Sequence, residues 1–296
     1  MRPRPSRLAA AALAIALAGA ASVASAQPPF SAPPPPAAVE GARPELGLMG
    51  TIPLYWGESA GIAEVLGGGG EAHWARAPLE ERFALRPLAA LTQENLAGLD
   101  YLLLAQPRGL APAENVALDG WVRGGGKLLL FADPMLTGES RFGIGDRRRP
   151  QDVILLSPIL DHWGLHLQFD GQQVAGTFMR EFAGTALPLN LPGRFATPVQ
   201  GACTLEAQAV LAECAVGQGR ALVLADAALL DLHEPAPQAP PALAALVERA
   251  FGGAREGAAV GQEARIWEDA GERATTPSGR ADAALQDVEE ALRSPP

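Results

Sequence analysis

Leu99 to Pro134 reads LDYLLLAQPRGLAPAENVALDGWVRGGGKLLLFADP, and this stretch decides the class of fold. Tyr101 to Ala105 is nearly continuous in leucine, the pattern of a strand covered on both faces rather than one. Ala111-Pro112-Ala113-Glu114-Asn115 then opens a helix that runs through Arg123, with Val116, Leu118, Trp121 and Val122 as its predicted apolar face. Gly124-Gly125-Gly126 ends that helix, and Lys127 to Phe131 is a second apolar run. A strand, a helix and a strand at this spacing make a parallel crossover unit.

The same alternation extends outward. Leu46 to Ile52 is predicted as a strand, Ala60 to Leu66 as a short helix ending in Gly67 to Gly70, and Arg82 to Arg86 as a further strand. Together these imply an α/β domain with a mostly parallel sheet and helices on both faces. The second half is less regular and reads as a hairpin-rich insertion. Its predicted elements are a helix over Val153 to Trp163, a strand over Leu165 to Phe169, and short strands and turns from Gln173 to Phe195. A hairpin lies between Cys203 and Cys214, the turn Gly217-Gln218-Gly219-Arg220 feeds a strand over Ala221 to Asp226, and Pro240 to Phe251 closes the domain as a helix.

The ends are of different composition. Arg2, Arg4 and Arg7 precede an Ala/Leu-rich run from Leu8 to Val23 and then Ala24-Ser25-Ala26, which is the pattern of a secretory signal cut after Ala26. The expected organisation is therefore a signal over 1–26, a Pro-rich linker over 27–44, a folded domain over 45–252 and a polar tail over 253–296, with one weak helix from Ala281 to Leu292. This places the mature chain in a bacterial periplasm, unless the signal is retained as an N-terminal anchor.

Cleavage takes three arginines from the 23 basic residues, leaving 20 against 33 acidic ones and a formal charge of −13. An acidic chain of this kind is unsuited to nucleic acid or anionic lipid, whose binding rests on Lys and Arg. Arg147-Arg148-Arg149 forms a basic cluster in a Gly/Pro-flanked loop and reads as a solvated turn. In an oxidising compartment the two cysteines, Cys203 and Cys214, suggest one disulfide across the hairpin; two buried thiols on adjacent strands are the alternative.

Ligands of open α/β sheets sit beyond the carboxyl ends of the strands. The candidate binding residues there are Tyr55, Trp56 and Glu58 after the first strand, Gln106 and Arg108 after Tyr101 to Ala105, Asp133 after Lys127 to Phe131, and Asp226. Each carboxylate also has a structural reading. Asp133 before Pro134 can hold a turn, Asp226 can cap Ala227 onward, and Glu58 can stabilise the start of the next helix. Trp56 suits recognition of a partner, or closes the core as a lid. The glycine-containing loop Thr137 to Gln151 is long enough to bind or to cover. His162 and His166 are four apart but separated by Gly164, so no shared metal face is expected, and no cofactor is implied. Motifs for a nucleophile elbow, a zinc helix or a phosphate loop are absent from the sequence.

Leu99 to Pro134, Ala215 to Leu230 (AVGQGRALVLADAALL) and Ser157 to Gly164 (SPILDHWG) resemble the extracytoplasmic auxiliary domain of gliding-type ABC transport systems. The resemblance spans about Leu46 to Phe251 and implies a flavodoxin-like fold similar to class I glutamine amidotransferases. In working amidotransferases the strand after the Gly-rich turn runs into an elbow bearing a Cys nucleophile. Here Lys127 to Phe131 runs into Ala132-Asp133-Pro134, so amidotransferase chemistry is not expected. The expectation is a non-catalytic accessory domain that binds an ABC permease or another envelope protein. The alternative is a hydrolase or small-ligand binder using Glu58, Asp133 and Asp226, and convergence of those carboxylates on one point separates the two.

Overall fold

The structure is a computed structural model that describes residues 43–58, 72–197, 203–231, 233 and 235–252. The signal, nearly all of the linker, the helix predicted at 60–66 with its glycine run, and the tail from 253 onward lie outside the described residues. No helix among the described residues is long and apolar enough to cross a membrane.

Seven strands form the main sheet: β1 (Glu45–Gly50), β2 (Ala84–Pro87), β3 (Tyr101–Ala105), β4 (Lys127–Phe131), β9 (Cys203–Glu206), β10 (Leu211–Val216) and β11 (Gly219–Leu224). Their order is β2-β1-β3-β4-β11-β10-β9. The first four junctions are parallel and the last two antiparallel. Successive residues of β3, β4 and β11 are buried, which requires both faces to be covered, as their unbroken apolar runs predict. The helices are α1 (Arg76–Arg82), α2 (Gln93–Leu96), α3 (Pro112–Arg123), α4 (Ser157–His162) and α5 (Ala239–Phe251). Two hairpin-like sheets complete the second half: β5 (His166–Gln168) with β8 (Arg194–Ala196), and β6 (Phe178–Phe182) with β7 (Thr185–Leu189).

The predicted β3, α3 and β4 fall where their patterns place them, but other boundaries differ. Arg82 ends helix α1, and β2 begins only at Ala84. Phe83 between them is fully buried, which explains why its alternating surroundings read as strand. The helix predicted from Val153 starts at Ser157, and Val153 and Leu155 lie exposed ahead of it. Val116 does not face the core: it is 73 % exposed, while Leu118 and Val122 carry the packed side of α3. The buried charge on this helix is Glu114, whose carboxylate accepts the backbone N–H of Ala111 and of Leu91 and a two-pronged bond from Arg108. Arg108 holds that carboxyl well below the usual range, at about 2.

The hairpin from β10 to β11 turns through Gly217, whose φ of 63° suits glycine. It then passes so close to the end of α3 that a Cβ at Gly219 would lie 2.1 Å from the Val122 carbonyl oxygen. In the neighbouring ladder Cys203 faces Cys214, and the two are joined in a disulfide with Cα atoms 4.0 Å apart.

Candidate functional site

At the carboxyl end of the sheet, the crest, three connected clusters gather the predicted residues. The first is built on Gln106, which follows β3 and is fully buried with a positive φ of 48°. Non-glycine residues adopt that conformation at a cost, so surrounding bonds must enforce it. Here the Gln106 amide donates to the carbonyls of Asp133 and Gln151, and its Oε1 accepts the Asp133 N–H. Its backbone carbonyl accepts from both the N–H and the hydroxyl of Thr51, and the same hydroxyl oxygen accepts from Gln151 N. Gln106 is a clasp among β1, β3 and β4, with its amide group engaged on both sides.

The second cluster pairs Asp133 with Asp226. Register sets Leu224 of β11 beside Phe131 of β4, so the two aspartates, each two residues further on, end adjacent parallel strands together. Both are buried. Asp133 accepts from Met135 N at 2.7 Å and Ala227 N at 2.9 Å, and Asp226 from Ala228 N at 2.6 Å and Asn190 N at 2.9 Å. Burial pushes the Asp133 carboxyl up to about 7, against the two backbone bonds that favour its charged form. Asp226 is raised well above the ordinary value, by burial first and then by the charge of Asp133. Asp133 holds the turn its local sequence predicts; Asp226, expected as a cap, instead holds a two-residue turn through Ala228 N, and Ala227 is the N-cap of the short helix that follows.

Glu58 organises the third cluster. Its carboxylate accepts from the Ser140 hydroxyl at 2.5 Å and Arg141 N at 2.8 Å, with His233 Nε2 at 3.3 Å, while the Arg141 guanidinium donates to the Glu58 carbonyl. Glu58 thus fastens the Thr137 to Gln151 loop to the segment that follows β1; the helix it was expected to stabilise lies outside the described residues. Within the loop, Arg148 bonds Asp146 and sits over the Phe142 ring at 4.1 Å. At its tip Ile144, between Gly143 and Gly145, is 93 % exposed.

Tyr55 and Trp56 occupy the turn closed by the bond from Gly57 N to Pro53 O. Tyr55 is half-buried, with the Arg76 guanidinium 4.2 Å from its ring centre and bonded to its carbonyl. Trp56 packs edge-on against Tyr55 and is 54 % exposed, so it does not seal the core. Beneath the two rings lies a cavity of about 100 Å³ bounded by Met49, Ile52, Leu54 and Leu88.

Asp133 and Asp226 therefore share one cluster while Glu58 serves another, and among the described residues no group of three or more His, Cys, Asp or Glu side chains could hold a metal ion. Asp133 carries no positive φ; that conformation belongs to Gln106, one strand over. His73 is buried and its pKa is lowered to about 4 by burial, so it is neutral, with Nδ1 accepting from Ala75 N and Nε2 donating to the Leu230 carbonyl. His162 and His166 lie 3.5 Å from different partners, Asp119 and Asp161. Nothing local in the sequence marks Ser140 or Ile144 as a site residue, and His233 reads as a lone loop histidine; Ser140 and His233 meet the crest through Glu58, and Ile144 through its loop.

No protein-family model and no curated protein matches the sequence. Among solved structures, the chain is similar to a putative ThuA-like protein from Bacteroides uniformis (10 % identity, TM-score 0.41, covering 74 % of this chain and 97 % of that one). It is also similar to the exo-β-1,4-mannosidase Op5Man5 from an Opitutaceae bacterium (11 %, TM-score 0.39, 65 % and 32 %). A third is Gan42B, a GH42 β-galactosidase from G. stearothermophilus (12 %, TM-score 0.38, 62 % and 27 %). The chain spans a third or less of the length of these two glycosidases. None of the three is described as a transport component. At such scores the likeness carries no argument about fold family, activity, substrate or site.

Proposed function

We propose that this chain is a non-catalytic binding domain of the bacterial periplasm, whose crest docks on a membrane ABC permease or another envelope protein. The observation that carries the reading is the contrast at the crest. The polar groups there that could do chemistry are engaged in turns, caps and clasps, while two large apolar side chains, Trp56 and Ile144, project into solvent. Apolar anchors beside satisfied polar groups suit a protein interface, where an exposed aromatic supplies contact area at low entropic cost. Glu58 couples the two anchors, since it fastens the Ile144 loop to the turn bearing Trp56. The transport association rests on the resemblance of Leu99 to Pro134 and Ala215 to Leu230.

The experiment is a pull-down of the tagged, exported protein from membranes after mild cross-linking, comparing the parent with Trp56→Ala and Ile144→Ser. Recovery of a permease or another envelope protein with the parent, reduced by either substitution, supports the reading. Equal recovery with all three forms removes the crest as the contact surface. Recovery of nothing from any form sinks the binding reading, and assays of small-ligand binding at Asp133 and Asp226 follow.

A further inference from the structure

Among the described residues, a large apolar hollow runs beside the sheet toward the amino ends of β3 and β4. It is a groove of about 1090 Å³ between α2 and α3, lined among others by Leu96, Leu99, Ala113, Val116, Ala117 and Trp121. Val116 stands 73 % exposed along it, an apolar residue that α3 turns away from the core. One end of the groove is Gly126, with the Trp121 ring stacked against it and Asp100 beside it.

The chain leaves the described domain at this same place. Lys127, the residue after Gly126, donates its ammonium to the carbonyls of Phe251 and Gly252 at 3.3 Å each, and Tyr101 packs on Phe251 with ring centres 5.3 Å apart. The end of α5 is thus fixed at the amino edge of β3 and β4, a lysine side chain away from the groove. Beyond it, residues 281–292 read ADAALQDVEEAL. On a helix Ala281, Ala284, Leu285, Val288 and Leu292 fall on one stripe, and Asp282, Asp287, Glu289 and Glu290 fall off it. Such a helix of 12 residues is about 18 Å long, matching the 12 residues of α3. A flexible chain of 28 residues, the number between Gly252 and Ala281, has a root-mean-square span of about 30 Å, enough to reach the whole groove. Tethering at that length supplies an effective concentration on the order of millimolar, so a weak helix suffices.

We infer that residues 281–292 dock as an amphipathic helix in the α2–α3 groove of their own chain, covering Val116 and Trp121 and leaving the crest untouched. A short amphipathic helix is marginal alone and gains its stability from the apolar face it buries. The groove is therefore expected to order the segment.

Hydrogen–deuterium exchange on the full chain tests this, with a synthetic peptide of residues 275–296 as the reference. The amides of 281–292 should exchange at least tenfold more slowly in the chain than in the peptide. Leu285→Asp with Val288→Asp in the tail should return them to the peptide rate. So should Ala113→Glu with Val116→Asp in the groove, where both side chains are exposed and the fold is not at stake. Peptide-like exchange in the unaltered chain overturns the inference, as does protection that survives the groove substitutions. Protection that fades on dilution assigns the groove to a second copy instead and overturns docking within one chain.

Discussion

Raising the pH from 4.5 to 8 should weaken this fold at Asp133, and Asp133→Asn should abolish that component. The carboxyl has a pKa of about 7 in the folded chain against an ordinary 3.8. Between these values the native state keeps a proton that the unfolded state has lost. The stability it contributes is complete below pH 3.8 and is lost as pH rises through about 7. Three pKa units correspond to roughly 4 kcal/mol, reached as a plateau above pH 7. Asparagine carries no charge but cannot satisfy both backbone donors: its oxygen can accept Met135 N, while its amide would face Ala227 N. That mismatch costs about 1–3 kcal/mol at every pH. The variant should therefore be less stable than the parent at pH 4.5, and the gap should close or reverse by pH 8. Urea unfolding midpoints for both proteins across that range, at fixed ionic strength and without reductant, measure the difference directly. A gap that is constant or widens with pH would refute the reasoning, because it would mean that Asp133 is ionised throughout.

Three further outcomes follow from the buried bonds. Gln106→Ala strips one donor and two acceptors of their partners and keeps a strained φ, so it should cost roughly 3 kcal/mol or more; Gln106→Gly should be milder by about 1 kcal/mol, read from the same urea midpoints. Glu114→Ala should cost about 2–3 kcal/mol by orphaning the N–H groups of Ala111 and Leu91, and the parent should lose this contribution in acid as pH falls from about 4.5 through 2, visible in the acid limb of a stability profile. Replacing Cys203 and Cys214 together by serine should lower stability by about 3 kcal/mol, the loop-closure value for 11 residues of separation, and the parent treated with reductant should lose a similar amount.

The parallel core of the fold is legible because β3, β4 and β11 are runs in which four successive residues are buried, and the glycines between α3 and β4 mark the crossover without ambiguity. Phe83 shows where such reading fails. A single buried aromatic beyond a seven-residue helix looks the same as the start of a strand, since local alternation does not reveal which neighbour covers it. Val116 fails for a different reason. Its position on α3 fits an apolar face by spacing, but Glu114 takes the buried place near the helix start by capping Ala111 and Leu91, and the packed side passes through Leu118 and Val122 instead.

At the crest the residue types were legible and their partners were not. Asp133 and Asp226 sit more than 90 positions apart, and only the register of β4 with β11 makes them neighbours that must share a buried space. Each carboxylate has a plain local role in a turn: Asp133 accepts from Met135 N and Asp226 from Ala228 N, although Ala227 and not Asp226 is the N-cap of the helix turn that follows. What the local reading omits is that two such roles at adjacent strand ends place two buried acids together: burial raises both, and the charge of Asp133 raises Asp226 further. Proximity alone does not make them catalytic: a working acid or base must reach a substrate, and both carboxyls are buried, each bonded to two backbone N–H groups. The same turns tie the strand ends together beside Trp56 and the Ile144 loop, the two residues on which the proposed contact surface rests.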